Sequence, residues 1–500
     1  MNTLYRSLRR RSDVEMDVES LERASKRILG FSLGPILSSL LSFITVPVTT
    51  WLVDPKDMGK ASMYFLSQGI FFGVASLAMG SSLSREFPVT DKKREVLFNV
   101  FVISFLSLLF FSSILWLFRR RASLIIFREY KPYLILILIF QSFLANVENL
   151  NNIMLIAEHR SLPYSLLVFL KTCIYAGSVI IILLFFKRSY EGIILAGFLS
   201  VIFSSIFGTF LNRKYWRFNF KIDTHIVKKA FRYSLPLIPN VIVSWIVSSM
   251  DRIALRKWAD FNEVGIYSAG YKVVSALGIL RGAFSNFWWP IAFRWYERGV
   301  DREKFVEASK MVIGVMSLAA VLVSLMRFII VMILAPSYRE SAIVMPFLVL
   351  IPVMTTISTV TGIGISLKRR TEFHTLITGL TALLNFTGNV ILVPRYGAIG
   401  ASIATGVSYI FMFTLRTFVS HKLFPVNYPF SFIFSNIFFV SLSAFVNLLP
   451  WFYISMILQI AVFLLLVLIN IKSIILLLKT GINILRKFRK KRRGNTHRFL

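Results

Sequence analysis

The chain has 500 residues, 56% of them hydrophobic and only 16% charged, whereas a soluble domain carries about a quarter charged residues. Its 57 Lys and Arg against 24 Asp and Glu give a net charge of +33, but such an excess also collects in the cytoplasmic loops of membrane proteins. Together these exclude a soluble globular protein, argue against a nucleic-acid binder, and predict an all-α polytopic membrane protein. Residues 1–27 are a polar, basic N-terminal segment. Within it, residues 13–27 read either as an amphipathic helix on the cytoplasmic surface or as plain flanking helix. No cleavable signal peptide is recognised, because the apolar run that follows is long enough to span.

Apolar runs bounded by charge, Pro or Gly give about fourteen candidate spans. The first six are 28–53, 61–84, 96–118, 133–156, 161–186 and 191–212, an N-terminal bundle of 28–212. A basic cytoplasmic linker, 213–232, follows. The next six spans are 233–255, 264–293, 306–334, 341–366, 372–394 and 397–420, a C-terminal bundle of 233–420. Two more, 429–449 and 452–478, occupy 421–479 before a basic tail, 480–500.

Basic residues orient these spans. With the N-terminus inside, the cytoplasmic side receives Arg9 to Arg11, Lys92 to Arg94, the linker, Lys368 to Arg370 and the tail, and an even span count keeps both termini inside. One loop disagrees strongly: Arg119, Arg120, Arg121, Arg128 and Lys131 fall outside, with Lys187-Arg188 and Arg256-Lys257 as weaker exceptions. Either spans 3 and 4 are displaced or the outer mouth is basic.

The two halves share a faint repeat. Phe31-Ser-Leu-Gly-Pro leads through span 1 to Asp54-Pro-Lys-Asp-Met-Gly59, and Tyr233-Ser-Leu-Pro-Leu leads through span 7 to Asp260-Phe-Asn-Glu-Val-Gly265. Paired Pro-bearing spans in matching halves point to a transporter cleft, although membrane helices also tolerate Pro for ordinary reasons. Gly30 and Gly34 form a GxxxG, and Gly397, Gly400 and Ala401 open span 12 with small residues; both predict close helix packing.

Asp251-Arg-Ile-Ala-Leu, Glu263-Val-Gly-Ile-Tyr-Ser-Ala-Gly-Tyr-Lys272 and Phe287-Trp-Trp-Pro290 resemble helices seven and eight of Wzx-type polysaccharide flippases. The stretch from Gly362-Ile-Gly-Ile-Ser-Leu-Lys through Asn385-Phe-Thr-Gly-Asn389 to Val393-Pro-Arg-Tyr-Gly397-Ala-Ile-Gly400 is similar to the same family. These flippases belong to the multidrug, oligosaccharidyl-lipid and polysaccharide exporter superfamily. The resemblance implies two pseudo-symmetric helical bundles around a central cavity that opens alternately to either side. It also implies a polyprenyl-pyrophosphate-linked oligosaccharide as cargo, driven by a proton or sodium gradient or the membrane potential. Membrane lipids and glycan polymerase or assembly proteins are the implied partners, the cytoplasmic (inner) membrane the implied location, and surface polysaccharide such as O-antigen the implied product.

Ionisable groups at mid-span cost about 2.5–3.5 kcal/mol on insertion scales, so they face a cavity or a partner. Lys171 lies about 15 Å into span 5, and Glu148 lies in span 4 beside Asn149, Asn151 and Asn152. Asp251 and Arg252 sit near the outer end of span 7, Lys272 and Arg281 in span 8, Arg327 in span 9 and Arg416 in span 12. An Asp251–Lys272 ion pair would lower the insertion cost or gate the outer side. Lys272 and Arg281 are nine residues apart and point to opposite sides of one helix, so they do not share a phosphate. Lys171 and Arg281 are the candidates for binding the anion, with Lys272 and Arg252 as further cations. Snorkelling to an interface is the competing role for such long side chains, and the expected one for Arg327 and Arg416. Tyr267 and Tyr271, one helical turn apart, together with Trp288 and Trp289, would stack on sugar rings or form an interfacial belt. Glu148 is the candidate proton-linked carboxylate, or else a neutral group among its asparagines.

No enzymatic constellation is expected. His159, His225, His374, His421 and His497 are scattered, Cys173 is the only cysteine, and Gly362-Ile-Gly-Ile-Ser-Leu-Lys368 lacks Walker A spacing. No cofactor or metal is expected. The rival functions are a multidrug or cation extruder, a lipid II flippase and, further off, a membrane glycan polymerase or ligase.

Overall fold

A computed structural model describes residues 30–217 and 222–496; the N-terminal segment falls outside them. The described residues form two compact units. The first runs to Arg256 and takes in Asp260–Ser268; the second comprises Lys257–Ala259 and the chain from Ala269 onward.

In the first unit α1 (Gly30–Leu52) leads to α2 (Pro55–Ala75), where Asp54 caps the helix by accepting from the Asp57 N–H at 2.9 Å and Pro55 occupies the first turn. Leu77 and Ala78 adopt positive φ, and α3 (Met79–Glu86) sets off at 61° to α2. Helices α4 (Lys93–Leu117), α6 (Pro132–Ala157), α7 (Ser161–Phe185) and α8 (Tyr190–Leu211) follow, with a short α5 (Arg119–Phe127) between α4 and α6. Next come α9 (Thr224–Ser234), α10 (Ile238–Trp258) and α11 (Phe261–Ser275), the last two reaching into the second unit. Met79, Leu83, Leu97, Val100, Leu150 and Met154 build a buried core from α3, α4 and α6. The Gly30 and Gly34 faces of α1 lie on α7: a Cβ on Gly34 would overlap the Ser165 backbone, and the Gly34 N–H donates to Ser165 Oγ at 3.0 Å.

The second unit contains α12 (Leu277–Glu297), α13 (Glu303–Leu325), α14 (Arg327–Met332), α15 (Ser341–Leu348), α16 (Leu350–Thr361) and α17 (Ile363–Leu367). It closes with α18 (Glu372–Leu423), α19 (Phe430–Val446) and α20 (Phe452–Thr496). Every element named is helical, and the chain is a multi-pass membrane protein. Ten helices among the described residues are long and apolar enough to span, eleven when the bent α2–α3 pair is counted. The fourteen expected spans differ from this number for local reasons. Two of them share α18, which bends at Gly397 (φ 51°, ψ −130°), a backbone conformation open to glycine, shortly after Pro394. Another, α19, has 17 residues, and span 264–293 is divided between α11 and α12.

The sequence repeat has a physical counterpart. Asp260 accepts from the Glu263 N–H at 2.9 Å, as Asp54 does from Asp57, so both turns launch a helix in the same way. The two helix starts then cross: a Cβ on Gly59 would overlap the Phe261 carbonyl oxygen, and one on Gly265 the Pro55 carbonyl oxygen. Each glycine makes room for the other repeat's backbone. One turn further on, Ser268 Oγ donates to Ser62 Oγ at 2.8 Å.

Candidate functional site

Lys171 and Glu148 meet. Lys171 Nζ lies 2.6 Å from Glu148 Oε1, joining α7 to α6. The two helices are consecutive and antiparallel; Glu148 is nine residues before the end of α6 and Lys171 ten after the start of α7. At 1.5 Å per residue both lie about 14–15 Å from the connecting turn, so their pairing follows from equal depth. The Glu148 side chain is 12% exposed and that of Lys171 34%. An ion pair with one partner enclosed and the other half open can exchange the carboxylate for another anion. Asn151, three residues on, serves other contacts: its Nδ2 donates to Thr209 Oγ1 at 3.1 Å, and its Oδ1 accepts from Asn212 and from Trp216 Nε1.

Asp251 is buried and accepts from the Tyr267 hydroxyl at 2.5 Å. Asp251 and Tyr267 lie in the first unit, Lys272 and Tyr271 in the second. Arg252 is half-buried and donates to the Ser248 carbonyl at 3.3 Å. Lys272 is half-buried and Tyr271 exposed on α11, and Arg281 is exposed on α12. Trp288 is enclosed, its Nε1 donating to the Thr359 carbonyl at 3.1 Å, with Phe284, Trp295 and Phe305 around its ring; Trp289 stacks on Phe293. Arg327 is 3% exposed and donates to the Ser324 carbonyl and Ser455 Oγ. Arg416 is half-buried, with its Nη2 3.4 Å from Thr378 Oγ1. Both arginines make these contacts within the second unit.

A second charged cluster escaped the sequence reading. Lys60, 5% exposed, lies 2.5 Å from Glu129, which also accepts from the Tyr190 hydroxyl at 3.0 Å. Glu191 binds Lys131 at 3.3 Å and also pairs with Lys187. The Lys60 ammonium, with the Tyr190 hydroxyl, holds the Glu129 carboxyl below its ordinary range. Spans α4 and α6 stand where expected, and this cluster partly neutralises the basic loop between them through Glu129 and Glu191. A signal for it was present in the sequence: two acids stand alone among the basic residues of loops 119–131 and 187–191.

Residues 25–294 match the family described as polysaccharide biosynthesis protein. An uncharacterized membrane protein of Methanocaldococcus jannaschii is 22% identical over 206 residues, and the chain spans 40% of that relative's length and 40% of its own. Among solved structures, the lipid II flippase MurJ in an inward closed conformation aligns with TM-score 0.66 and 16% identity, covering 89% of this chain and 99% of its own. An inward-facing multidrug resistance MATE family transporter of the MOP superfamily aligns with TM-score 0.56 and 16% identity, over 79% and 97%. At these identities the structures establish a shared fold.

Proposed function

The chain belongs to the polysaccharide biosynthesis protein family, and on that premise we propose that it flips an anionic, polyprenyl-pyrophosphate-linked oligosaccharide from the cytoplasmic to the outer leaflet by alternating access. The observation that carries this reading is the Lys171–Glu148 ion pair at 2.6 Å, set mid-helix in an apolar bundle. A bare pyrophosphate would meet a prohibitive cost in hydrocarbon. Lys171 offsets part of it by exchanging its carboxylate for a phosphate oxygen. Glu148, once released, takes up a cation, a proton or sodium, and so couples transport to a gradient. Arg281, Lys272 and Arg252 supply further positive charge along the path, Tyr271 is an exposed ring for stacking on a sugar, and Asp251, held by Tyr267, acts in gating. The protein resides in the cytoplasmic membrane with both termini inside.

Two assays test this. Deleting the gene should leave lipid-linked oligosaccharide accumulating on the inner leaflet; unchanged surface glycan with a fall in dye efflux would favour a drug extruder and overturn the proposal. Lys171→Ala and Arg281→Ala should each abolish complementation at normal protein levels, and activity retained in both would sink the site assignment.

A further inference from the structure

A cavity of about 390 Å³ opens beside the crossing of the two repeats, lined by Lys56 and Lys60 of α2, Arg128 and Glu129 of the α5–α6 turn, and Asp260 and Phe261 at the start of α11. The transport reading makes no use of these residues. Their charges do not balance. Lys60 and Glu129 neutralise each other at 2.5 Å, and Asp260, the cap of α11 through the Glu263 N–H, keeps its negative charge. Lys56 and Arg128 on the lining, with Arg256 packed on the lining residue Phe261, outweigh it by two positive charges.

Phe261 organises the cations. The Arg256 guanidinium carbon lies 4.7 Å from its ring centroid, that of Arg128 5.9 Å, and Lys60 Nζ 5.8 Å. Cation–π contact offsets some of their repulsion. Arg128 Nη2 reaches the Arg256 carbonyl at 3.4 Å, and Arg256 Nη2 donates to the Leu124 carbonyl at 3.3 Å. Arg256 Nε is buried with no hydrogen-bond partner, which leaves a charged donor unsatisfied. Arg128 stands at φ 57°, an uncommon backbone for a non-glycine residue, at the end of α5, and its guanidinium faces Phe261. Two guanidinium groups around one ring, one with an orphaned donor, beside an open cavity with surplus positive charge, suit an anion.

We propose that this cavity binds a phosphate-bearing group through Arg128 and Arg256, with Lys56 at its rim and Phe261 as the platform. Phosphate oxygens suit forked guanidinium donors, and a doubly charged anion balances two of them where a single carboxylate balances one. The shared chemistry allows two sources, a free or lipid-linked pyrophosphate and the headgroup of an anionic phospholipid. The site is independent of the Lys171 reading.

The test uses the full chain in phosphatidylcholine nanodiscs, with thermal unfolding followed as inorganic pyrophosphate is titrated. The midpoint should rise with pyrophosphate, Arg128→Gln should weaken the apparent affinity about tenfold or more, and Lys214→Gln, an exposed loop cation outside both sites, should keep the response. If the occupant is a headgroup, phosphatidylglycerol nanodiscs should raise the wild-type midpoint but not that of Arg128→Gln, and pyrophosphate should then add nothing. Arg256→Gln provides a second variant acting on the same ligand. No wild-type response to either probe, or responses equal to wild type in both arginine variants, overturns the proposal. A response lost in Lys171→Ala and kept in Arg128→Gln also overturns it, while leaving the Lys171 reading intact.

Discussion

Two contacts in the first unit join helices in opposite ways. At the crossing of the repeats, Gly59 and Gly265 bring backbone onto backbone, and shape alone decides the fit. Between α6 and α7, Lys171 and Glu148 are joined by charge across a gap that leaves Lys171 partly open. A steric contact of the first kind has one arrangement, because close-packed atoms cannot be exchanged for others. An ion pair has several, since either partner can take a different counter-ion. The crossing therefore admits one arrangement and the pair more than one.

The largest effect should come from breaking shape. Gly265→Ala places a methyl group where the Pro55 carbonyl stands, and with backbone on both sides the cost should reach about 3 kcal/mol or more. Monodisperse protein of wild-type thermal midpoint would show that the crossing is loose after all. Gly59→Ala should behave alike, since its clash is the mirror of the first.

Breaking charge should cost less and depend on how it is done. Lys171→Ala leaves Glu148 enclosed without its cation. Removing one partner of a fully buried pair costs about 3–5 kcal/mol, and the partial exposure of Lys171 reduces this to about 1–3 kcal/mol. Lys171→Met with Glu148→Met should recover much of that stability yet remain inactive. A double variant as unstable as the single one would mean that the pair is not coupled.

A third substitution sharpens the contrast by removing a cation held by carbonyl and hydroxyl oxygens. Arg327 hydrogen-bonds Ser324 and Ser455, and Ser455 Oγ keeps its own bond to the Val446 carbonyl. Arg327→Met should therefore stay within about 1 kcal/mol of wild type or gain stability, measured as the denaturation midpoint in detergent. A loss as large as that of Lys171→Ala would erase the distinction between a cation on a carboxylate and one on neutral oxygens.

The smallest effect concerns pH. The Glu129 carboxyl is held below its ordinary value of 4.5 by Lys60. Its lowered value means that its stabilisation is present above pH 4.5 and is lost as pH falls through the folded value. Wild type should thus approach Glu129→Gln in thermal midpoint below about pH 4, and differ from it at neutrality. Curves that stay parallel across this range would remove Glu129 from the cluster's energetics.

Much of this is legible in the amino-acid sequence. Apolar run length marked the helices, because a span must satisfy its own backbone in hydrocarbon. Pro and Asp marked helix starts at Asp54 and Asp260, and the repeat was visible as two like turns. The depth of Glu148 and of Lys171 was also readable, since rise per residue along a helix is constant. Their partnership was not, because depth says nothing about which faces turn toward one another. The same limit separated Asp251 from its Tyr267 partner and concealed the role of Glu129, whose partner Lys60 lies 69 residues away in the chain.

The sequence by itself determined an all-helical membrane chain, the sites of its turns, and which residues would be costly to place in a bilayer. These follow from composition and local spacing. Only tertiary structure decided what each costly residue meets, whether a carboxylate at Lys171, hydroxyl and carbonyl oxygens at Arg327, or a shared aromatic ring at Arg128 and Arg256. Those outcomes depend on rotation of whole helices about their axes, which is set by packing across the unit and by no short stretch of the chain.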